Sequence, residues 1–322
     1  MDNIFALCHQ SDIDGVGSAS MIKMRYGIKS NNLFFTDYSL ENVVRSKDEI
    51  CRAAKRGAML IIADLGLNES TKKPLAALIR HIRGNGGRVY WFDHHVWDED
   101  GIRNIASKCD AAIVNENAKY CATEIVRNEL HLESSFCREF AKIVHYSDFN
   151  IESSDKRYTK RIIEYAMSIT SYQQVKDYSL RNRKLRHVAE VISSGRFSDA
   201  RIRNDARKFD RINKERIEKM LNKLIVLEKV AVGFHKGVQT TIACGAIMKK
   251  SGKDISVYVN LDNMHGHIRT EKADCRPVAG YFGGGGHPHA AGFVIKKRYD
   301  FSKESERKGF AELIERKAQE LC

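Results

Sequence analysis

The sequence predicts an α/β fold in three parts: a doubly wound parallel sheet at the N-terminal end, a helical connector, and a smaller α/β domain at the C-terminal end. Three observations carry this. Up to about residue 150, short apolar runs alternate with helical patterns, the order expected of a sheet covered on both sides. Runs such as Met59–Ala63 are apolar at consecutive rather than alternate positions, which suits strands buried on both faces. Residues 151 to about 228 show helical periodicity without a strong strand, and strand patterns return only from Val230. The expected domains are therefore 1–150, 151–228 and 229–322.

In the first part, strands are predicted over 4–8, 32–36, 59–63, 88–92 and 111–114, and helices over 17–25, 40–56, 75–84, 123–130 and 135–146. Gly15 and Gly17 let the chain leave the first strand and enter a helix closely behind it. Asn85-Gly86-Gly87 marks a turn before the fourth strand. In the connector, Ile217, Leu221, Leu224 and Ile225 share one face of an amphipathic helix. In the last part, strands are expected over 230–234, 240–246, 255–261, 267–270 and 293–295, with helices over 275–282 and 302–321.

Acidic and imidazole side chains crowd the ends of the first-domain strands. The run 4–8 leads into His9, Asp12 and Asp14, 59–63 into Asp64, and 88–92 into the triplet Asp93-His94-His95. Ligands of open α/β sheets bind at the carboxyl ends of the strands, so these groups should meet at one edge. Clustered carboxylates repel and need cations. A mixed carboxylate and imidazole set suits a divalent transition metal such as manganese better than calcium, which prefers oxygen alone. Two metals sharing one carboxylate is the economical arrangement; such pairs sit roughly 3.5–4 Å apart and serve in-line displacement at phosphorus. A lone Asp at a strand end is often only a helix cap; here the repetition over three strands favours a site. Near the other end, Gly283 to Gly286 precede His287, and consecutive glycines can offer backbone N–H groups to a phosphate.

With these residues the chain resembles the DHH phosphoesterase superfamily, named for the triplet at 93–95. His9-Gln-Ser-Asp12-Ile-Asp14-Gly15 resembles the first motif, Asp64 the second, Asp93-His94-His95 the third, and Asp148 in His-Tyr-Ser-Asp-Phe the fourth. The stretch from Gly283 to Gly292 resembles the glycine-rich signature of the DHH-associated C-terminal domain. The pairing is similar to RecJ-type exonucleases, oligoribonucleases (nanoRNases), and phosphodiesterases for cyclic dinucleotides or pAp. Many members place the first His two or four residues before the first motif Asp, whereas His9 lies three before Asp12.

The resemblance implies two Mn2+ ions, with Mg2+ or Co2+ as substitutes. One would be held by His9, Asp12 and Asp64, the other by Asp14, Asp64, His94 and Asp148, with Asp64 bridging. Asp93 would be a ligand or would orient one, and His95 would touch the scissile phosphate or the attacking water. Arg269, Gly284, Gly285, Gly286 and His287 would hold the nucleotide end of the substrate, leaving the scissile phosphate over the metals; His289, His265 and His267 are further candidates there. The expected activity is hydrolysis of single-stranded RNA or DNA, or of short oligonucleotides, to nucleoside 5′-monophosphates. The alternatives are a small-nucleotide enzyme acting on cyclic di-AMP or pAp, an inorganic pyrophosphatase, against which the glycine-rich signature argues, and a scaffold of a replication complex, against which the intact acidic set argues.

Composition sets the remaining bounds. No apolar run approaches the roughly 20 residues of a membrane span, and the start, Met-Asp-Asn-Ile-Phe, lacks the basic opening of a secretory signal. The eight Cys residues include no C-x-x-C pair and read as reduced thiols of a cytoplasmic protein, not as a zinc site. The formal charge is +13, and residues 155–229 hold 20 Lys/Arg against 10 Asp/Glu. Such a bias favours a polyanionic partner, although a solvated helical face would look the same. A homodimer and a replication or repair partner both stay open.

Overall fold

Five strands, β1 (Ile4–His9), β2 (Leu33–Thr36), β3 (Met59–Ala63), β4 (Arg88–Phe92) and β5 (Ala111–Ile113), pair in parallel in the order β2-β1-β3-β4-β5. The computed structural model describes residues 3–114, 119–296 and 299–321, and the chain divides into two units, 1–207 and 208–322. In the first unit the helices are α1 (Ile13–Tyr26), α2 (Leu40–Ala53), α3 (Glu69–Gly84), α4 (Glu99–Asn104), α5 (Ala122–Glu129), α6 (Ser135–Asp148), α7 (Lys156–Gln173), α8 (Tyr178–Ser193) and the start of α9 (Ala200–Leu221).

The consecutive apolar runs are explained by burial on both sides. Phe5, Leu7, Leu60, Ile62, Val89 and Trp91 pack with α2 and α3, while Ala6, Cys8, Ile61, Ala63 and Phe92 pack with α1, α5 and α6. The second core also takes Tyr165, Ile169 and Tyr172 from α7 and Leu185, Val188 and Ile192 from α8. The segment 151–228, read from the sequence as a connector, is therefore divided: α7 and α8 are core helices of the first unit. Two starts also differ, and one helix is added. Helix α1 begins at Ile13 on an Asp12 cap rather than at 17, α3 begins at Glu69 on an Asn68 cap, ahead of Pro74, rather than at 75, and α4 is the addition, capped by Asp98.

The second unit contains the rest of α9, β6 (Ile225–Val226), β7 (Val230–His235), α10 (Thr240–Ser251), β8 (Ile255–Asn260), β9 (His265–Arg269), α11 (Arg276–Tyr281), β10 (Gly285–His287), β11 (Ala290–Val294) and α12 (Glu304–Leu321). Its sheet has the order β10-β11-β9-β8-β7-β6. Residues 240–246, expected as a strand, are helical. β7 and β8 are parallel neighbours, so the chain between them must cross over, and a helix does this. Thr240, Thr241 and Ile242 favour strands locally, but Ala243, Cys244 and Ile247 form a buried helical face, Gln239 caps the start, and Gly252 ends the helix with φ 68°. The helix of the connector pattern ends at Leu221, and Ile225 sits instead on β6. The glycine run is also more regular than a loop: Gly285 to His287 pair antiparallel with Gly292 to Ala290. No helix among the described residues is long and apolar enough to cross a membrane.

Candidate metal centre

In the strand order 2-1-3-4-5 the chain winds in opposite senses away from β1 and β3, which opens a crevice at their carboxyl ends. Cys8 pairs with Ala63, and Ala63 with Phe92, so the next residues along, His9, Asp64 and Asp93, lie side by side at that edge. Asp64 leaves β3 in a left-handed conformation, φ 52°, which Asp tolerates better than most residues. Its N–H donates to the Phe92 carbonyl at 3.0 Å, tying the turn to β4.

Two donor groups share Asp64. On one side His9 Nδ1 lies 3.4 Å from Asp12 Oδ2 and 3.5 Å from Asp64 Oδ2. On the other, His94 Nε2 lies 3.6 Å and His95 Nδ1 4.0 Å from Asp64 Oδ1. Ligand atoms of each trio, His9 with Asp12 and Asp64, and Asp64 with His94 and His95, fall within 4.8 Å of one another. The unusual spacing of His9 from Asp12 does not keep it out of the cluster. Asp148 arrives as the last residue of α6, with Oδ2 3.6 Å from His94 Nδ1. A carboxylate at a helix C-terminus is opposed by the helix dipole.

Asp14 and Asp93 are held differently. The Asp14 carboxylate accepts the N–H groups of Ala122 at 2.8 Å and Thr123 at 2.7 Å, at the start of α5, and its Oδ2 lies 3.9 Å from His94 Nε2. Asp93 is fully buried; Oδ1 lies 2.7 Å from His95 Nδ1 and Oδ2 accepts the Trp97 indole N–H at 2.8 Å. Both oxygens are occupied, so of the two roles expected for Asp93 its contacts match orientation of His95 rather than ligation.

The electrostatics are those of a charge cluster. Burial pushes the Asp14 carboxyl up, and the neighbouring Asp64 and Asp148 add to it. Burial likewise raises Asp148 to about 6, with Asp64 and Asp12 reinforcing it against the pull of His94. For His94, burial opposes the charged form but is outweighed by Asp64, Asp148 and Asp14, which raise it to about 11. Burial opposes charge at Asp12 as well, yet His9 holds it down at about 2.

Do these residues fit divalent cations? Asp64 Oδ2 and Asp148 Oδ2 are buried oxygens with no hydrogen-bond donor among the described residues. Such oxygens are costly unless a positive group faces them. Carboxylates and imidazoles around a shared Asp64 are the donor set a pair of transition-metal ions takes, so the residues fit.

Several supporting residues escaped the sequence reading. Trp97 holds Asp93, and Trp91 donates its indole N–H to the Leu65 carbonyl at 3.0 Å, fixing the turn that carries Asp64. The buried Arg181 of α8 donates to Gln10 Oε1 at 3.0 Å, next to His9. Tyr38 did not escape it: following the second predicted strand, it reads as core or as a ring to stack on a base, and it packs its ring 5.1 Å from that of His9 and accepts the Gly66 N–H at 3.3 Å, so its surroundings are the site itself. Only the placement of Trp97 four residues after Asp93 was a local signal.

In the second unit, Arg269 of β9 is opposite Ala290 of β11, which is opposite His287 of β10, so Arg269 and His287 stand in one row on one face. Arg269 Nε is buried without an acceptor among the described residues. His265 and His267 share that face of β9, and burial, Arg269 and His265 push His267 down to about 3, keeping it neutral. His289 is exposed on the turn and lies 3.4 Å from Thr270 Oγ1. Three glycines of the run have a structural need. A Cβ on Gly284 would meet the Gly292 carbonyl oxygen at 2.1 Å, and Gly283 and Gly286 have φ 74° and 142°. Around Gly285 there is open space. β10 is an edge strand, which leaves alternate backbone groups unpaired by the sheet.

Residues 212–320 match the DHHA1 domain family. No curated protein matches the chain in sequence. Among solved structures, the chain is similar to RecJ from Thermus thermophilus in complex with Mn2+, with 14% identity and a TM-score of 0.57 over 99% of this chain and 52% of that one. It is also similar to a pGpG-specific phosphodiesterase from Vibrio cholerae, with 14% identity and a TM-score of 0.53 over 98% and 99% of the two chains. An exopolyphosphatase-related protein from Bacteroides fragilis gives the same identity and TM-score over 98% and 92%. The class these findings define is a chain that ends in a DHHA1 domain and shares its overall fold with these structures.

Proposed function

We propose that this chain is a manganese-dependent, two-metal phosphodiesterase of the cytoplasm that hydrolyses single-stranded nucleic acid or short oligonucleotides to nucleoside 5′-monophosphates. The observation that carries the reading is Asp64, a buried carboxylate with an undonated oxygen shared by two donor trios. In this reading His9, Asp12 and Asp64 hold one ion, and Asp64, His94 and Asp148, with Asp14 beside them, hold the other. Bound cations would lower the pKa of water and neutralise charge on a phosphate. The remaining work falls to side chains. His95 Nδ1 is committed to Asp93, which leaves Nε2 to meet a phosphate oxygen or the attacking water. Arg269, His287 and the edge backbone of Gly284 to Gly286 supply the donors for a terminal phosphate, and neutral His267 lines the same face.

Two neighbours bear on the substrate. RecJ in complex with Mn2+ shares the fold, and the excess of Lys and Arg over 155–229 suits a strand. The pGpG-specific phosphodiesterase shares it over nearly its whole length, which supports a second reading, an enzyme confined to dinucleotides and other small nucleotides. Incubation with manganese and 5′-labelled RNA and DNA ladders, beside pGpG, cyclic di-AMP and pAp, tests both. Degradation of long strands supports the first reading; turnover confined to dinucleotides or to the small nucleotides selects the second. No manganese-dependent hydrolysis of any of them would overturn the proposal.

A further inference from the structure

A second cavity lies wholly within the C-terminal unit, at the carboxyl ends of the parallel strands β7 and β8. Its volume is about 720 Å³, within the range of small-ligand sites of roughly 300–1,000 Å³. Lys219, Lys223, Lys236 and Arg307 line it, and no carboxylate does. Nearby cations are neutralised: Lys214 pairs with Asp210 and Lys308 with Glu304. The four lining cations have no ion-pair partner among the described residues. Lys223 and Arg307 also border an adjoining cavity with Glu304 and Glu312, which offset part of their charge, but with Lys219 and Lys236 beside them the lining keeps an excess of positive charge that favours an anion.

The cavity also has an aromatic wall. Tyr299, half-buried, stacks on Phe301 with ring centroids 5.2 Å apart and planes within 5°, and Phe301 in turn packs on Phe234 at 5.0 Å. Phe234 and Phe301 are 7% and 6% exposed, so Tyr299 is a ring held rigidly from behind. Cations bordering a flat, backed ring match an aromatic base joined to phosphate. An inorganic polyanion would use the cations and ignore the ring.

This is not the end of the sheet that carries Arg269 and His287. Ser256 of β8 is level with Arg269, whereas Asn260 is level with His235 at the cavity. Four residues of strand separate the two, about 13 Å. We infer that this cavity is a second nucleotide-binding site, taking the base on Tyr299 and the phosphate on Lys223 and Arg307. The inference rests on the reading above only in expecting a nucleotide in place of another anion.

The test uses the full chain in EDTA, carrying Arg269→Ala and His287→Ala to remove the other phosphate-binding row. Fluorescence anisotropy of a labelled single-stranded oligonucleotide of about a dozen nucleotides reads binding, with AMP and inorganic tripolyphosphate as competitors. Adding Lys223→Gln and Arg307→Gln is expected to weaken binding about tenfold and to flatten its salt dependence. Tyr299→Leu, which keeps apolar bulk, is expected to weaken oligonucleotide binding about fivefold or more and leave tripolyphosphate competition unchanged. Competition by AMP assigns the site to free nucleotides, and its absence to a strand. Affinity within twofold in both variants would overturn the site, and a loss confined to the Lys and Arg variant would overturn the nucleotide assignment. Manganese-dependent hydrolysis of bis(p-nitrophenyl) phosphate, measured without the background substitutions, is expected to stay within twofold in the cavity variants. Its absence in the unsubstituted chain would count against the metal centre and leave the binding result standing.

Discussion

At Asp64 a left-handed backbone, a buried carboxylate and three imidazoles, those of His9, His94 and His95, meet. Asn keeps the left-handed preference and the shape but loses the charge. Asp64→Asn is therefore expected to lower hydrolysis at least about 100-fold and to remove one class of bound metal. In the absence of metal the loss of a charge that pushes Asp14 up is opposed by the loss of a carboxylate that raises His94, so the deciding measurement is metal content: a variant that binds manganese as the parent does would overturn the ligand role of Asp64. Asp93→Asn is a different case, since its oxygens hold His95 and Trp97. It should lower kcat by about 10- to 100-fold with metal content unchanged, checked by kinetics beside metal analysis. The clustering of His9, Asp12, Asp64 and His94 was legible because each follows a strand pattern visible in the sequence, whereas Asp148 was tied to them only through the resemblance of its motif. What fixes them was not: Arg181 reaches Gln10 from a helix far along the chain, and the N–H groups of α5 that hold Asp14 belong to backbone, which leaves no residue-type signal.

Among the elements, the strands of the first unit were readable because burial on both faces leaves little ambiguity in their composition. The stretch 240–246 was not, since Thr and Ile in a short run suit a strand until the parallel pairing of β7 and β8 demands a crossover. Two glycines test these helices in opposite directions. In α10, Gly245 is exposed and a Cβ would meet nothing within 4 Å. Gly245→Ala is expected to stabilise the chain by roughly 0.5–1 kcal/mol, since Ala is the better helix former; a loss of stability in urea unfolding would contradict the helix. In α1, a Cβ on Gly15 would lie 2.1 Å from the His9 carbonyl oxygen. That contact is with backbone, so the helix must move. Gly15→Ala is expected to cost about 2 kcal/mol or more, and to lower activity by displacing Asp12 and Asp14. Unfolding and kinetics that both match the parent would show that α1 is free to shift without disturbing the site.

For the whole molecule, the division into two units makes a spectroscopic prediction. The chain has two Trp residues, Trp91 and Trp97, and both lie in the first unit beside the metal centre, in edge-to-face contact at 4.8 Å. Tryptophan fluorescence therefore reports the unit that would bind metal and is silent on the other. A ligand that binds only the folded form at 100 times its dissociation constant adds about 2.7 kcal/mol. For a unit of this size each kcal/mol moves the melting temperature by roughly 2–4 °C. Manganese at that excess should then raise the tryptophan-monitored transition by about 5–10 °C, and a chelator should reverse it. The cores of the second unit, built around Phe310 and Phe293 on one side of its sheet and Met220 and Ile247 on the other, include none of the candidate ligands His9, Asp12, Asp14, Asp64, His94 and Asp148. Far-UV circular dichroism, which sees both units, should therefore keep a component that manganese leaves in place. A tryptophan transition that manganese does not move would remove the support that the buried, undonated oxygens of Asp64 and Asp148 give to a metal centre. A shift shared equally by the whole dichroism signal would show instead that the two units unfold as one.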